Sequence, residues 1–144
     1  MSAKRHERTS ARRCALQVLY QSEILEESAP AIAAGEKHID EEGILGEYAY
    51  VLLAGIEEHR EQIDGYLKDT SENWALERMP IVDRSILRLA VFEMLYVEDV
   101  PLSVSINEAV ELAKDFGGED ESPRFVNGVL GRIAKTFEED GHEE

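Results

Sequence analysis

The chain has 144 residues, a formal net charge of −16 and one cysteine. This length fits one domain that buries a hydrophobic core without covalent cross-links. A lone cysteine excludes an intrachain disulfide, and no apolar run is long enough for a secretory signal or a membrane span. The composition therefore predicts a cytoplasmic protein in which Cys14 is a small buried side chain.

The charge is distributed unevenly along the chain. Residues 1–13 contain five arginines and lysines but one acid, Glu7, so a basic segment precedes a strongly acidic remainder. Overall acidity argues against a polyanionic partner, whereas this segment favours one. The alternative is a solvated tail drawn to the acidic body, although arginines at a helix N-terminus oppose the helix dipole and are not explained by stability. In a helix that extends back toward His6, Arg5, Arg8 and Arg12 share one face suited to phosphates.

Apolar residues at helical spacing predict helices through the first two thirds of the chain. The inner face of the first helix is expected to comprise Ala11, Ala15, Leu16, Leu19 and the ring of Tyr20. The predicted helices cover residues 10–26, 32–38, 47–68, a short turn from Thr70 to Leu76, and 80–96. The apolar stripe of the helix predicted over 47–68 includes Val51, His59 and Ile63. His59 is expected to be a boundary side chain rather than a metal ligand.

Glu93 is the odd member of the apolar stripe in the helix over 80–96. A buried carboxylate needs hydrogen-bond donors, so we expect a structural partner such as a nearby Asn, Tyr or Arg rather than a catalytic role.

The last third of the chain contains two more helix signals separated by a short polar break. Ser105 with Glu108 has the spacing of a capping box, and Gly117 and Gly118 are expected to end that helix in the left-handed conformation. Ser122 before Pro123 predicts the next helix start. The apolar residues that follow each start are Ile106, Ala109, Val110 and Ala113, then Val126, Val129, Leu130, Ile133 and Phe137. No strand-like alternation is found, so the fold class is all-α.

Four segments carry a family resemblance. They are Arg12–Tyr20 with its RRCA and LY motifs, Val82–Glu93, INEAVELAK at Ile106–Lys114 followed by Phe116-Gly117, and FVNGVL at Phe125–Leu130. In this order they resemble the NusB transcription antitermination family over nearly the whole chain. The resemblance implies one NusB-like domain over 1–144, with about seven helices in two small packed bundles. The charge distribution adds a basic arm over 1–9 and an acidic tail over 138–144, and the tail departs from the family pattern.

The resemblance also implies a function in transcription. Proteins of this family pair with the ribosomal protein NusE, and the heterodimer binds single-stranded boxA RNA. It joins other Nus factors and RNA polymerase to suppress termination, notably on ribosomal RNA operons. Matching positions give two sets of expected contacts: Arg5, Arg8, Arg12, Phe116, Asp120 and Phe125 for RNA, and Tyr20 and Asp83 for NusE.

Several of these positions have a structural alternative. Phe116 and Phe125 also fit core residues at helix ends, and Asp83 fits a first-turn carboxylate favoured by the helix dipole. Glu119 or Glu121 could take the place of Asp120, because the loop is one residue longer than expected.

Catalytic patterns are almost absent from the sequence. There is no glycine-rich phosphate loop and no nucleophile with a matching base, and Glu139-x-x-His142 is a ligand spacing within an acidic tail. We therefore expect no enzyme activity, cofactor or metal. Two alternatives stay open: a helical adaptor without direct RNA contact, and a truncated ribosomal RNA cytosine methyltransferase, since a similar helical domain precedes that catalytic domain.

Overall fold

The computed structural model describes residues 2–34, 46–71, 75–117 and 121–139. Within these ranges the chain forms seven α-helices and a short 3-10 helix, Leu76–Arg78, and contains no strand, which confirms the all-α class. No helix in the described ranges is long and apolar enough to cross a bilayer. The α-helices are α1 (Ser2–Leu25), α2 (Ala29–Ala34), α3 (Glu47–Glu58), α4 (Arg60–Thr70), α5 (Ile81–Tyr96), α6 (Leu102–Phe116) and α7 (Ser122–Glu139).

The contacts divide the chain into two compact units, residues 1–60 and 61–144. In the first unit α1, α2 and α3 pack against one another. The inner face of α1 includes Ala15, Val18 and Leu19, each at most 3% exposed, and Cys14 is buried as expected. Tyr20 is 42% exposed, so its predicted place on that face is wrong.

Helix α1 ends at Leu25, and the next residue, Glu26, adopts a left-handed conformation with φ of 57°. The amide of Glu27 donates to the carbonyl of Ser22 at 3.2 Å, which closes the helix in the manner of a Schellman motif. The helix begins at Ser2, well before the predicted start, so the basic residues of the first segment lie on a helix.

In the second unit α5 packs against both α6 and α7, and α6 packs against α7. Every residue from Ser85 to Met94 of α5 is buried, so this helix is surrounded by protein. Helix α4 is tied to it by an ion pair, in which Arg88 donates from Nε to Oδ1 of Asp64 at 2.9 Å and from Nη2 to Oδ2 at 3.1 Å. On α7, the predicted core residues Val126, Val129, Leu130 and Ile133 are all buried.

The helix predicted over 47–68 is two helices. It is interrupted at His59, which has φ of −110° and ψ of 24° and is half-buried beside Glu58. Buried residues lie three or four positions apart within α3 and α4 and seven apart across the break, from Ile56 to Ile63, so the apolar periodicity hides it. Val51 is 47% exposed, and Leu53 takes the inward position instead.

The capping box predicted at Ser105 is also wrong, because α6 begins one turn earlier after Pro101. The carbonyl of Pro101 accepts hydrogen bonds from the amides of Val104 and Ser105, which places Ser105 inside the first turn. Its hydroxyl donates instead to Oε1 of Glu93 at 3.0 Å. Glu93 is 2% exposed and has the structural donor that was expected, although from a serine.

The remaining boundaries differ by small amounts. Helix α2 begins three residues before the predicted one, and α5 begins one residue after Pro80. Trp74, expected in a short turn, lies outside the described residues.

Candidate nucleic-acid interface

A basic face of α1 is built around one aromatic ring. Tyr48, in the first turn of α3, has the guanidinium carbon of Arg8 4.5 Å from its ring centroid. The guanidinium carbon of Arg12 lies 5.9 Å from the same centroid. Arg8 and Arg12 are one helical turn apart, so both side chains reach the ring from one face of α1. The predicted shared face is thereby present for these two arginines.

The two arginines differ in exposure. Arg12 is 4% exposed, whereas Arg8 is half-buried. Arg12 is therefore part of the packed structure of the first unit. Its contact with RNA stays a prediction. Arg5 lies within α1, but its side chain is outside the described part of the chain, as is Asp120.

Phe116 and Phe125 are half-buried, at the last residue of α6 and in the first turn of α7. The two helix ends approach closely between them. A Cβ added to Gly117 would lie 2.7 Å from Cβ of Ser122 and 2.6 Å from the carbonyl oxygen of Ala113. Gly117 has φ of −69° and ψ of 145°, so the predicted left-handed conformation is wrong for Gly117, and Gly118 lies outside the described residues. Glycine is required here by the close approach of Ser122.

Asp83 is connected to this helix junction. Its carboxylate accepts the hydroxyl of Ser122 at 3.0 Å and 3.3 Å, and the Asp83 residue is 4% exposed. The bond joins the first turn of α5 to the first residue of α7, in place of the capping bond expected from Ser122. The burial of Asp83 gives it a structural role, and its contact with a partner protein stays a prediction.

Tyr20 has the accessibility that a protein contact needs. Near the end of α1 it is followed by Ile24 and Leu25, each 55% exposed. The three side chains give this part of α1 an apolar exposed surface. The contact of Tyr20 with a partner stays a prediction.

A concave surface of the first unit has the opposite character to the basic face. Four glutamates line it together with Arg60, and its volume is about 410 Å³. Its acidic lining disfavours phosphate ligands. These glutamates are Glu23, Glu26, Glu27 and Glu57.

Sequence reasoning missed two parts of this arrangement. The helical spacing of Tyr48 does not indicate its contact with Arg8 and Arg12, and the link between Ser122 and Asp83 spans 39 positions. The one available signal for Tyr48 was a tyrosine at the start of a helix in a chain with an arginine-rich first segment.

The chain is similar to known proteins over most of its length. The model of the NusB family matches residues 9–135. The transcription antitermination protein NusB of Bacillus cereus (strain B4264) is 48% identical over 130 residues, which cover 90% of this chain and 98% of that protein. The NusB of Bacillus thuringiensis (strain Al Hakam) has the same identity and coverage.

Solved structures agree with this match. T. maritima NusB aligns with a TM-score of 0.77 and 37% identity, covering 89% of this chain and 90% of that one. A complex of the antitermination factors NusB and NusE with dsRNA includes a chain that aligns with a TM-score of 0.73 and 26% identity, covering 91% of this chain and 98% of that one. On these matches, the chain belongs to the NusB family.

Proposed function

We propose that this chain is a transcription antitermination factor of the cytoplasm. It binds boxA-type single-stranded RNA as a heterodimer with the ribosomal protein NusE, and the complex joins other Nus factors and RNA polymerase, notably on ribosomal RNA operons. Its role is binding without catalysis. The similar NusB of the solved complex is bound to NusE and to dsRNA, which supports both kinds of partner.

The observation that carries the proposal is the basic face of α1. In a chain of net charge −16, Arg8 and Arg12 are gathered on the ring of Tyr48. Cations and aromatic faces are the groups that hold single-stranded RNA. We assign Arg5, Arg8 and Arg12, with Phe116, Asp120 and Phe125, to RNA contact.

The partner surface is assigned to Tyr20 and Asp83. Tyr20 is exposed and can touch NusE directly, whereas Asp83 is buried and acts by holding Ser122. A separate titration of fluorescently labelled NusE with Tyr20→Ala checks the first assignment, and an affinity equal to that of the unaltered chain would remove Tyr20 from this surface.

The test is a titration of fluorescent boxA-type RNA with the heterodimer at several salt concentrations. Three to five phosphate contacts predict a slope of log K against log salt of about −2 to −3.5. Arg8→Ala should weaken binding and make the slope less steep by about 0.7. Arg13→Ala is the matched control, because Arg13 is an exposed arginine of the same helix.

Three outcomes would contradict the proposal in different ways. Salt-independent binding would remove the basic arm from the RNA site. If Arg8→Ala and Arg13→Ala lose the same RNA affinity, the basic arm contributes only through its net charge and not through a specific contact of Arg8. Intact NusE binding without RNA binding would favour the helical adaptor. A duplex of the same sequence, titrated in parallel, distinguishes single-stranded from double-stranded RNA as the ligand.

A further inference from the structure

The ring of Tyr48 contacts two arginines of α1, Arg8 and Arg12. The centroid of its ring lies 4.5 Å from the guanidinium carbon of Arg8 and 5.9 Å from that of Arg12. Both distances are within the range in which a ring attracts a cation. Tyr48 belongs to α3, so the contact also crosses from one helix to another.

We infer that Tyr48 is a positioning residue for RNA binding: its ring holds Arg8 so that this arginine donates to a backbone phosphate. The inference rests on the proposed RNA binding. Arg12 is 4% exposed, whereas Arg8 is half-buried and therefore partly open to solvent.

The geometry of the guanidinium group explains how a ring prepares it for phosphate. A guanidinium group can contact a ring through its flat face, because its N–H donors lie in the plane of the group and face outward from its edge. A phosphate can approach this edge and accept two parallel hydrogen bonds. Fixing a long side chain before the ligand arrives lowers the entropy lost on binding, so a preformed contact between Arg8 and Tyr48 increases affinity.

The test compares Tyr48→Leu, which removes the ring, with Tyr48→Phe, which keeps it. Full-length variants are titrated as heterodimers with NusE against the fluorescent boxA-type RNA. Tyr48→Leu should bind about 2- to 30-fold more weakly, the range expected for one cation–π contact, and the salt slope should become less steep by about 0.7. Tyr48→Phe should stay within about twofold of the unaltered complex.

A double-mutant cycle with Arg8→Ala separates positioning from folding. Once Arg8 is absent, Tyr48→Leu should change RNA affinity by less than about twofold, because the side chain that the ring holds is gone. Tyr50→Leu is the matched control two residues further along α3. Tyr50 is 39% exposed and its hydroxyl donates to the carbonyl of Ala33 at 2.9 Å, so this variant should keep its RNA affinity. Thermal melts of all variants report folding.

Two results would overturn the role of Tyr48. The first is an equal loss with and without Arg8, which would mean that the ring acts through the fold. The second is a loss in Tyr48→Phe as large as that in Tyr48→Leu. Absence of RNA binding by the unaltered complex would instead overturn the proposed function itself.

Discussion

Gly117 shows how one missing side chain permits a helix junction. Its backbone is extended, which any residue can adopt, but a Cβ at this position would lie 2.6 Å from the carbonyl oxygen of Ala113 and 2.7 Å from Cβ of Ser122. The carbonyl belongs to the backbone of α6 and cannot rotate away. Ser122 is in turn held by Asp83, so a shift at Gly117 would disturb the bond between α7 and α5.

We predict that Gly117→Ala lowers the free energy of unfolding by about 1–3 kcal/mol, because the added methyl group overpacks the junction. Urea denaturation measures the change. The control is Gly128→Ala within α7, where an added Cβ meets nothing within 4 Å. There the loss of glycine should stabilise the helix by about 0.5–1 kcal/mol. A Gly117→Ala variant as stable as the unaltered chain would mean that the junction adjusts without cost.

At the scale of the elements, α4 is attached to the buried helix α5 by a bidentate ion pair. The side chain of Arg88 is 7% exposed and that of Asp64 is 17% exposed, so both charges are largely removed from water. Breaking such a pair is costly, because it leaves a buried charge without its counter-ion.

We predict that Asp64→Ala lowers the free energy of unfolding by about 3–5 kcal/mol. The control is Glu111→Ala on α6, which breaks the exposed pair with Lys114 at 3.2 Å and should cost at most about 0.5 kcal/mol. Chemical denaturation of both variants gives the comparison. Similar costs for the two would show that the pair between α4 and α5 contributes little.

Most elements were predictable from apolar periodicity, and the differences have identifiable physical causes. The break at His59 was hidden because the buried positions of α3 and α4 keep a common spacing across it. Ser105 has the sequence signature of a cap, but its hydroxyl satisfies buried Glu93 from a later position in the first turn of α6. Contacts between helices, rather than local preference, decided this case.

The candidate site was predictable only in part, for a related reason. The i, i+4 spacing of Arg8 and Arg12 follows from helix geometry alone, so their shared face was correctly expected. Their partner Tyr48 lies on another helix, and no local pattern connects it to them. The hydrogen bond that buried Asp83 accepts likewise comes from Ser122, which is distant in sequence.

For the whole molecule, charge is the dominant property. Residues 1–13 are basic, while the rest of the chain carries the large excess of acids. The acidic body repels RNA at long range, whereas the basic segment attracts it at short range. Salt screens both effects and therefore weakens them. The proposed RNA affinity of the chain alone is therefore modest, and a basic protein partner would increase it.

Helix α1 serves two purposes within a few residues. Ala15, Leu16 and Leu19 of this helix build the core of the first unit, and Arg8 of the same helix carries the proposed ligand contact. Loosening of the core would therefore also release the arginine. Genetic selections for impaired antitermination will recover substitutions at Ala15 or Leu16 that resemble ligand-contact defects, and only measurement of cellular protein abundance beside activity will tell the two kinds apart.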